Sequence, residues 1–166
     1  MGLVLLHHAV ASSADPQAAL SAQGREQARA IGQRLRWYDC HAKRILCGPS
    51  PAACETAAIV AAVLDCAVAI ELETALALSA APAAHAALAA QLAPELSGLA
   101  IDGRTLVIGD QSVARVLALL VPSVQTQLGD APLAHAEAVR VYAQQVRWRF
   151  RYDDAAPARI DARLAA

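Results

Sequence analysis

Short unbroken apolar runs alternate along this chain with longer stretches of helical spacing. Leu3-Val4-Leu5-Leu6 is the first run, and it reads as a strand covered on both faces in a largely parallel sheet. Past a loop holding Asp15-Pro16, Ser21 is placed to cap a helix of about four turns on which Ala28, Ile31, Leu35 and Tyr38 recur. Arg44 to Cys47 predicts a second strand closed by Gly48-Pro49, and residues 51 to 64 a helix with Ala53, Ala57, Val60, Ala61 and Leu64 on one face. A weaker strand is expected over Val68 to Glu71, and a helix over His85 to Leu92 introduced by Pro82. Thr105 to Ile108 repeats the strand, Gly109-Asp110 the turn, and Val113, Val116, Leu117 and Leu120 the helix, which Pro122 stops.

Ala138 to Tyr142 and Val146 to Tyr152 are β-prone and separated by Ala-Gln-Gln, the pattern of a closing hairpin. Strands alternating with helices predict a three-layer α/β/α sandwich with a mainly parallel sheet. A single domain is expected over residues 1–152, with 153–166 as a poorly ordered C-terminal tail.

Composition narrows the classes of function. Hydrophobic residues are 57% and aromatic residues 4%, so the core is built from Ala, Leu and Val. Fourteen basic and fifteen acidic residues, with no long run of one sign, argue against nucleic acid as a partner. His7 and His8 break the opening apolar run, no basic segment precedes it, and Ser79, Pro82, His85 and Gln91 break the Ala-rich stretch from Ala75 to Leu92. Neither a signal peptide nor a membrane span is expected. Cys40, Cys47, Cys54 and Cys66 form no C-x-x-C pair, which favours reduced thiols and a cytoplasmic protein.

In open α/β sheets ligands bind beyond the strand C-termini, so the residues after each apolar run carry the chemistry. Here they are His7-His8-Ala9, the stretch from Cys47 to Ala57, and Val107-Ile108-Gly109-Asp110-Gln111-Ser112. In this order, with Leu20-Ser21-Ala22-Gln23-Gly24-Arg25-Glu26-Gln27-Ala28 between the first two, the chain resembles the histidine phosphatase superfamily. It is most similar to the small bacterial phosphohistidine phosphatases of the SixA type. Their patterns are R-H-[GA], L-T-x-x-G-x-x-Q-A, S-x-P-x-x-R-A-x-x-T-A and V-G-H-x-P, and the third is met here by Pro49, Ala53, Thr56 and Ala57. The matches run from residue 3 to about 120.

The resemblance implies a phosphoglycerate mutase-like fold and, in the family, a histidine that attacks phosphorus while two arginines and a second histidine hold the phosphoryl oxygens. Position by position it makes His8 the nucleophile. It puts His7 where the first arginine stands, Ala52 where the second stands and Asp110 where the second histidine stands. Two arginines fewer and one aspartate more shift the pocket by three charge units toward negative. At ~4 Å and an effective dielectric of ~20, each unit is worth roughly 4 kcal/mol. The expectation is therefore a degenerate phosphatase-like domain, catalytically impaired or inactive, that serves as a binding or regulatory module for a phosphoprotein or a small phosphorylated ligand, with no cofactor.

Two alternatives stand beside it. One is a slow phosphomonoester or phosphohistidine phosphatase using His8, with Arg25, Arg115 or Lys43 replacing the missing arginines. The other is a metal site from His7, His8 and Asp110, with Cys47 nearby; adjacent strand residues pointing to opposite faces argue against it. Asp110 also suits the N-cap of the helix that follows. His41, His85 and His135 match no catalytic position of the family and read as surface or satisfied core histidines.

Overall fold

The structure, a computed structural model, describes residues 2–96, 104–123, 133–143 and 145–154. The chain forms β1 (Leu3–His7), α1 (Ala22–Trp37), β2 (Arg44–Cys47), α2 (Pro51–Leu64) and β3 (Ile70–Leu72). A 3₁₀ turn (Thr74–Leu76), α3 (Pro82–Leu96), β4 (Thr105–Gly109), α4 (Ser112–Leu120), β5 (Glu137–Tyr142) and β6 (Gln145–Arg151) follow. The strands lie in one sheet in the order β3-β2-β4-β1-β5-β6. β1, β2, β3 and β4 are mutually parallel, while β5 runs antiparallel to β1 and β6 antiparallel to β5.

The unbroken apolar runs are explained by two separate cores, one on each sheet face. Leu3 and Leu5 pack with Leu46, Val107, Leu88, Leu92, Val116 and Leu117 under α3 and α4. Val4 and Leu6 join Ile45, Leu106 and Ile108 against Ile31, Leu35, Val60 and Leu64 of α1 and α2. Because both faces are covered, every residue of β1 and β4 is buried and none can be polar without a partner. The expected three-layer sandwich is the observed one.

Two elements differ from the sequence expectation. The weak strand lies at Ile70–Leu72, two residues beyond its predicted start, as an edge strand whose three residues are all exposed. With no buried face, alternation cannot fix its register. Helix α3 spans Pro82–Leu96, past both predicted ends: Ala83 and Ala84 form helix readily at its start, and at its end it continues through Pro94 to the buried Leu96. The predicted tail lies outside the described residues except for Asp153 and Asp154, and no helix among the described residues is long and apolar enough to cross a membrane.

Candidate active site

The loop from His8 to Leu20 crosses the C-terminal ends of the strands and is held by the residues of the two longest motifs. Ser21 caps α1 by accepting from the Gly24 amide at 2.9 Å, and its hydroxyl donates to the Val10 carbonyl at 3.1 Å. A β-carbon on Gly24 would lie 2.1 Å from that same carbonyl, so only glycine lets the helix start approach the loop this closely. Gln27 accepts from the Val10 amide at 3.0 Å. From α2, the fully buried Thr56 accepts from the Ala9 amide at 3.2 Å and donates to the Ala52 carbonyl at 2.7 Å. Glu55 accepts from the Leu20 amide at 2.9 Å and pairs with Arg25 at 2.5 Å.

This scaffold encloses a cleft of about 330 Å³ into which His8, Ser50, Ala52, Asp15, Asp110 and His135 face. His8, Ala52 and Asp110 therefore converge on one site, as their order in the chain implied. Among the described residues no arginine or lysine lines it. Arg25 is spoken for by Glu55, and neither Arg115 nor Lys43 lines the cleft. A second recess on the other side of His7 has Gln27, Gln111, His135 and Arg151 in its wall, so the basic side chain that sequence reasoning missed is Arg151.

His135 is exposed, as the surface reading expects, and it also joins the site: its ring stacks on His7 at 4.5 Å between centroids and stands 5.3 Å from His8. His7 and His8 themselves meet edge to face at 4.9 Å. The opposite-faces argument fails here because β1 ends at His7, although the His8 amide still donates to the Gly109 carbonyl at 2.8 Å. His135 arrives on the turn before β5. The Ala136 amide, on a residue with φ of 52°, donates to the carbonyls of His7 and His8 at 3.1 and 3.2 Å. The buried Glu137 anchors the turn by accepting from the Ala134 amide at 2.6 Å and pairing with Arg149.

Each of the three imidazoles makes its bond to a backbone carbonyl through Nδ1: His7 to Leu133 at 2.9 Å, His8 to Ala9 at 2.7 Å and His135 to His8 at 3.1 Å. A carbonyl only accepts, so in these bonds Nδ1 carries the hydrogen and Nε2 is left with the lone pair. Burial, reinforced by neighbouring His8 and His135, pushes His7 down to about 3. His8 is also held below the usual histidine range, mainly by burial, although Asp110 acts in the opposite sense. His7 is thus a neutral ring and does not stand in electrically for an arginine.

Asp110 has the capping role expected of it, one residue displaced. α4 begins at Ser112, and Asp110 accepts from the Ser112 amide at 2.8 Å, while the formal cap residue Gln111 makes no capping bond through its side chain. The metal set of His7, His8 and Asp110 is not the one assembled: the ring nitrogens of His7 and His8 cluster with one from His135, all within 4.8 Å. Cys47 is also excluded from it, since its Sγ lies 3.7 Å from that of Cys54 and burial pushes its thiol up to about 12. His41 is exposed and pairs with Asp39 at 2.6 Å. His85, on α3, is a buried core histidine but not a satisfied one, since its Nε2 is unpartnered among the described residues.

A mainly parallel sheet flanked by helix pairs, with a histidine-bearing cleft at the strand C-termini, is the α/β sandwich implied by the motifs. Residues 7–77 match the family model of the histidine phosphatase superfamily (branch 1), the superfamily that the motifs resemble. Among solved structures, the protein histidine phosphatase SixA complexed with tungstate superposes with a TM-score of 0.67 at 20% identity, covering 92% of this chain and 97% of its own. A SixA homologue from Agrobacterium tumefaciens gives 0.70 at 13% identity, covering 89% and 96%. A mycobacterial glucosyl-3-phosphoglycerate phosphatase gives 0.63 at 17% identity, covering 89% and 95%. These likenesses establish the shared fold. Among curated proteins none matches the chain.

Proposed function

We propose that this domain is a binding or regulatory module on the histidine phosphatase fold in which hydrolysis is impaired or lost. The observation that carries the reading is the wall of the cleft around His8: among the described residues it contains Asp15, Asp110 and Ala52 and no guanidinium or ammonium group. Phosphoryl transfer depends on positioning and on stabilising charge at the equatorial oxygens, and removal of one well-placed donor commonly costs ~10²- to 10³-fold in rate. A phosphoprotein or a small phosphorylated ligand is the ancestral class of partner, held here at reduced affinity. Four free cysteines agree with a cytoplasmic setting.

A specific observation favours a second reading, slow phosphatase activity. The bond from His8 Nδ1 to the Ala9 carbonyl leaves Nε2 as a nucleophile in the cleft, the tautomer that attack on phosphorus requires. Turnover of an aryl phosphate and of a phosphohistidine protein separates the two. The module reading expects negligible turnover, changed little by His8→Ala. Turnover of about 1 s⁻¹ or more that vanishes in His8→Ala establishes the enzyme instead.

The same reading expects the triple change His7→Arg, Ala52→Arg and Asp110→His to raise vanadate or inorganic phosphate affinity well beyond any single change, since groups that act as a unit are non-additive. Calorimetric titration of a variant with wild-type circular dichroism is the measurement. No gain over wild type would mean that the cleft has been reshaped and not merely stripped of charge.

A further inference from the structure

We propose that His7, His8 and His135 form a binding site for a divalent first-row transition metal ion, best suited to Zn²⁺. Three features support it independently of how the cleft treats phosphate. The first is convergence: one ring nitrogen from each residue lies within 4.8 Å of the others, although His135 is 127 positions from His8. The second is orientation. All three rings are held by a bond from Nδ1 to a backbone carbonyl, which presents Nε2 as the lone-pair atom on each. Metal-bound histidines are fixed in this way, the outer N–H donating to a carbonyl or carboxylate to set tautomer and ring angle. The third is charge: Asp15 and Asp110 line the cleft beside His8 and favour a cation there as strongly as they oppose an anion.

The donor set selects the ion. Imidazole nitrogens suit zinc, copper, nickel and iron, whereas calcium and magnesium take oxygen ligands. Zn–N bonds of about 2.0–2.1 Å in a tetrahedron need nitrogens about 3.3 Å apart, so the rings close by about an ångström or more on binding. His7 and His8 are buried and held by the end of β1. The exposed His135, on a turn, supplies the movement and the path from solvent. Three protein ligands leave the fourth position for water or for a ligand atom. A bound ion there would occupy His8 Nε2 and bring positive charge to a cleft that has no arginine or lysine in its wall among the described residues.

The site is tested on the full chain without an affinity tag, stripped by chelator and titrated calorimetrically with zinc chloride at neutral pH. One equivalent is expected to bind. His135→Gln and His8→Gln should each weaken binding by ~100-fold or more, since loss of even an outer-shell partner costs 10- to 100-fold. His41→Gln, at the exposed histidine paired with Asp39, should leave it unchanged. Circular dichroism checks that the variants are folded. X-ray absorption on the zinc-loaded wild type gives a reading free of any variant: a shell of about three imidazoles near 2.0 Å is expected. Absence of stoichiometric binding, unaltered affinity in folded His135→Gln, or sulfur scatterers in the zinc shell overturns the proposal. No phosphorylated compound enters these measurements, so a negative result leaves the reading of the cleft as a phosphatase-derived module standing.

Discussion

The two walls of the cleft are built on different terms. On one side, the loop from His8 to Leu20 rests on the starts of α1 and α2, and Ser21, Gln27, Glu55 and Thr56 satisfy its amides or carbonyls at distances of 2.9–3.2 Å. On the other, the turn carrying His135 is tied down by the buried Glu137 and its Arg149 partner and by the Ala136 amide. The first wall carries the motif residues that shape the loop, and Ala52 lines the cleft beside them. The second wall carries no family motif, yet it adds a third imidazole to the two at the end of β1. The difference separates two roles that a motif conflates: residues that set the backbone path, and residues that act on the ligand.

The second wall should be the more fragile. Glu137 is 2% exposed and serves both Arg149 and the Ala134 amide. Glu137→Ala leaves the Ala134 amide without its acceptor and removes the carboxylate from a partly buried pair with Arg149, an expected loss of ~1–3 kcal/mol. Urea unfolding should show that loss. Zinc binding should fall with it, because the turn that positions His135 is released. A change below ~1 kcal/mol would show that β5 and β6 hold the turn without the pair.

The walls should also differ in their response to acid. In the folded, metal-free protein His7 is held down to about 3, against an ordinary histidine value of 6.5 in the unfolded chain. Between those values the unfolded state binds the extra proton, so stability is full above pH ~6.5 and is lost progressively as pH falls toward 3. At ~1.4 kcal/mol per unit, moving from pH 7 to 5 should remove about 2 kcal/mol, and His8, also lowered by burial, acts in the same direction. His7→Gln should flatten the profile over this range. An equally steep profile in that variant would assign the acid sensitivity to other groups.

What could be read beforehand follows the same division. β1 and β4 were legible because burial on both faces forces an unbroken apolar run, and α1 because Ser21 and the apolar period agree. β3 was displaced because it has no buried face. His8, Ala52 and Asp110 were legible through motifs whose spacing the turns preserve. His135 was not, since a histidine in a turn has no period and no motif. Its place follows from the antiparallel register, Leu6 opposite Ala138, which sets the turn before β5 beside the end of β1. Apolar alternation gives the existence of β5 but not its neighbour, so the pairing that completes the site is a tertiary fact.

The smallest expected effect lies in the first wall, at Thr56. Its hydroxyl accepts from the Ala9 amide at 3.2 Å and donates to the Ala52 carbonyl at 2.7 Å, with no exposure to solvent. Thr56→Val keeps the branched shape and removes both bonds. The Ala52 carbonyl lies in the first turn of α2, where Thr56 is four residues on and its own amide is the natural helical donor, so that oxygen keeps a partner. The Ala9 amide has no such reserve among its described side-chain partners, and an unsatisfied buried donor costs ~1–3 kcal/mol. The loss should sit at the low end, below that of Glu137→Ala, because no charge is stranded. The consequence for function should exceed the consequence for stability, since Ala9 directly follows His8 and its carbonyl is the acceptor that orients the His8 ring. Zinc affinity in Thr56→Val should therefore fall by more than that of Ser21→Ala, a capping change of similar size that acts at Val10. Equal losses in the two variants would mean that the loop moves as one body and that the first wall does not orient His8 through Ala9.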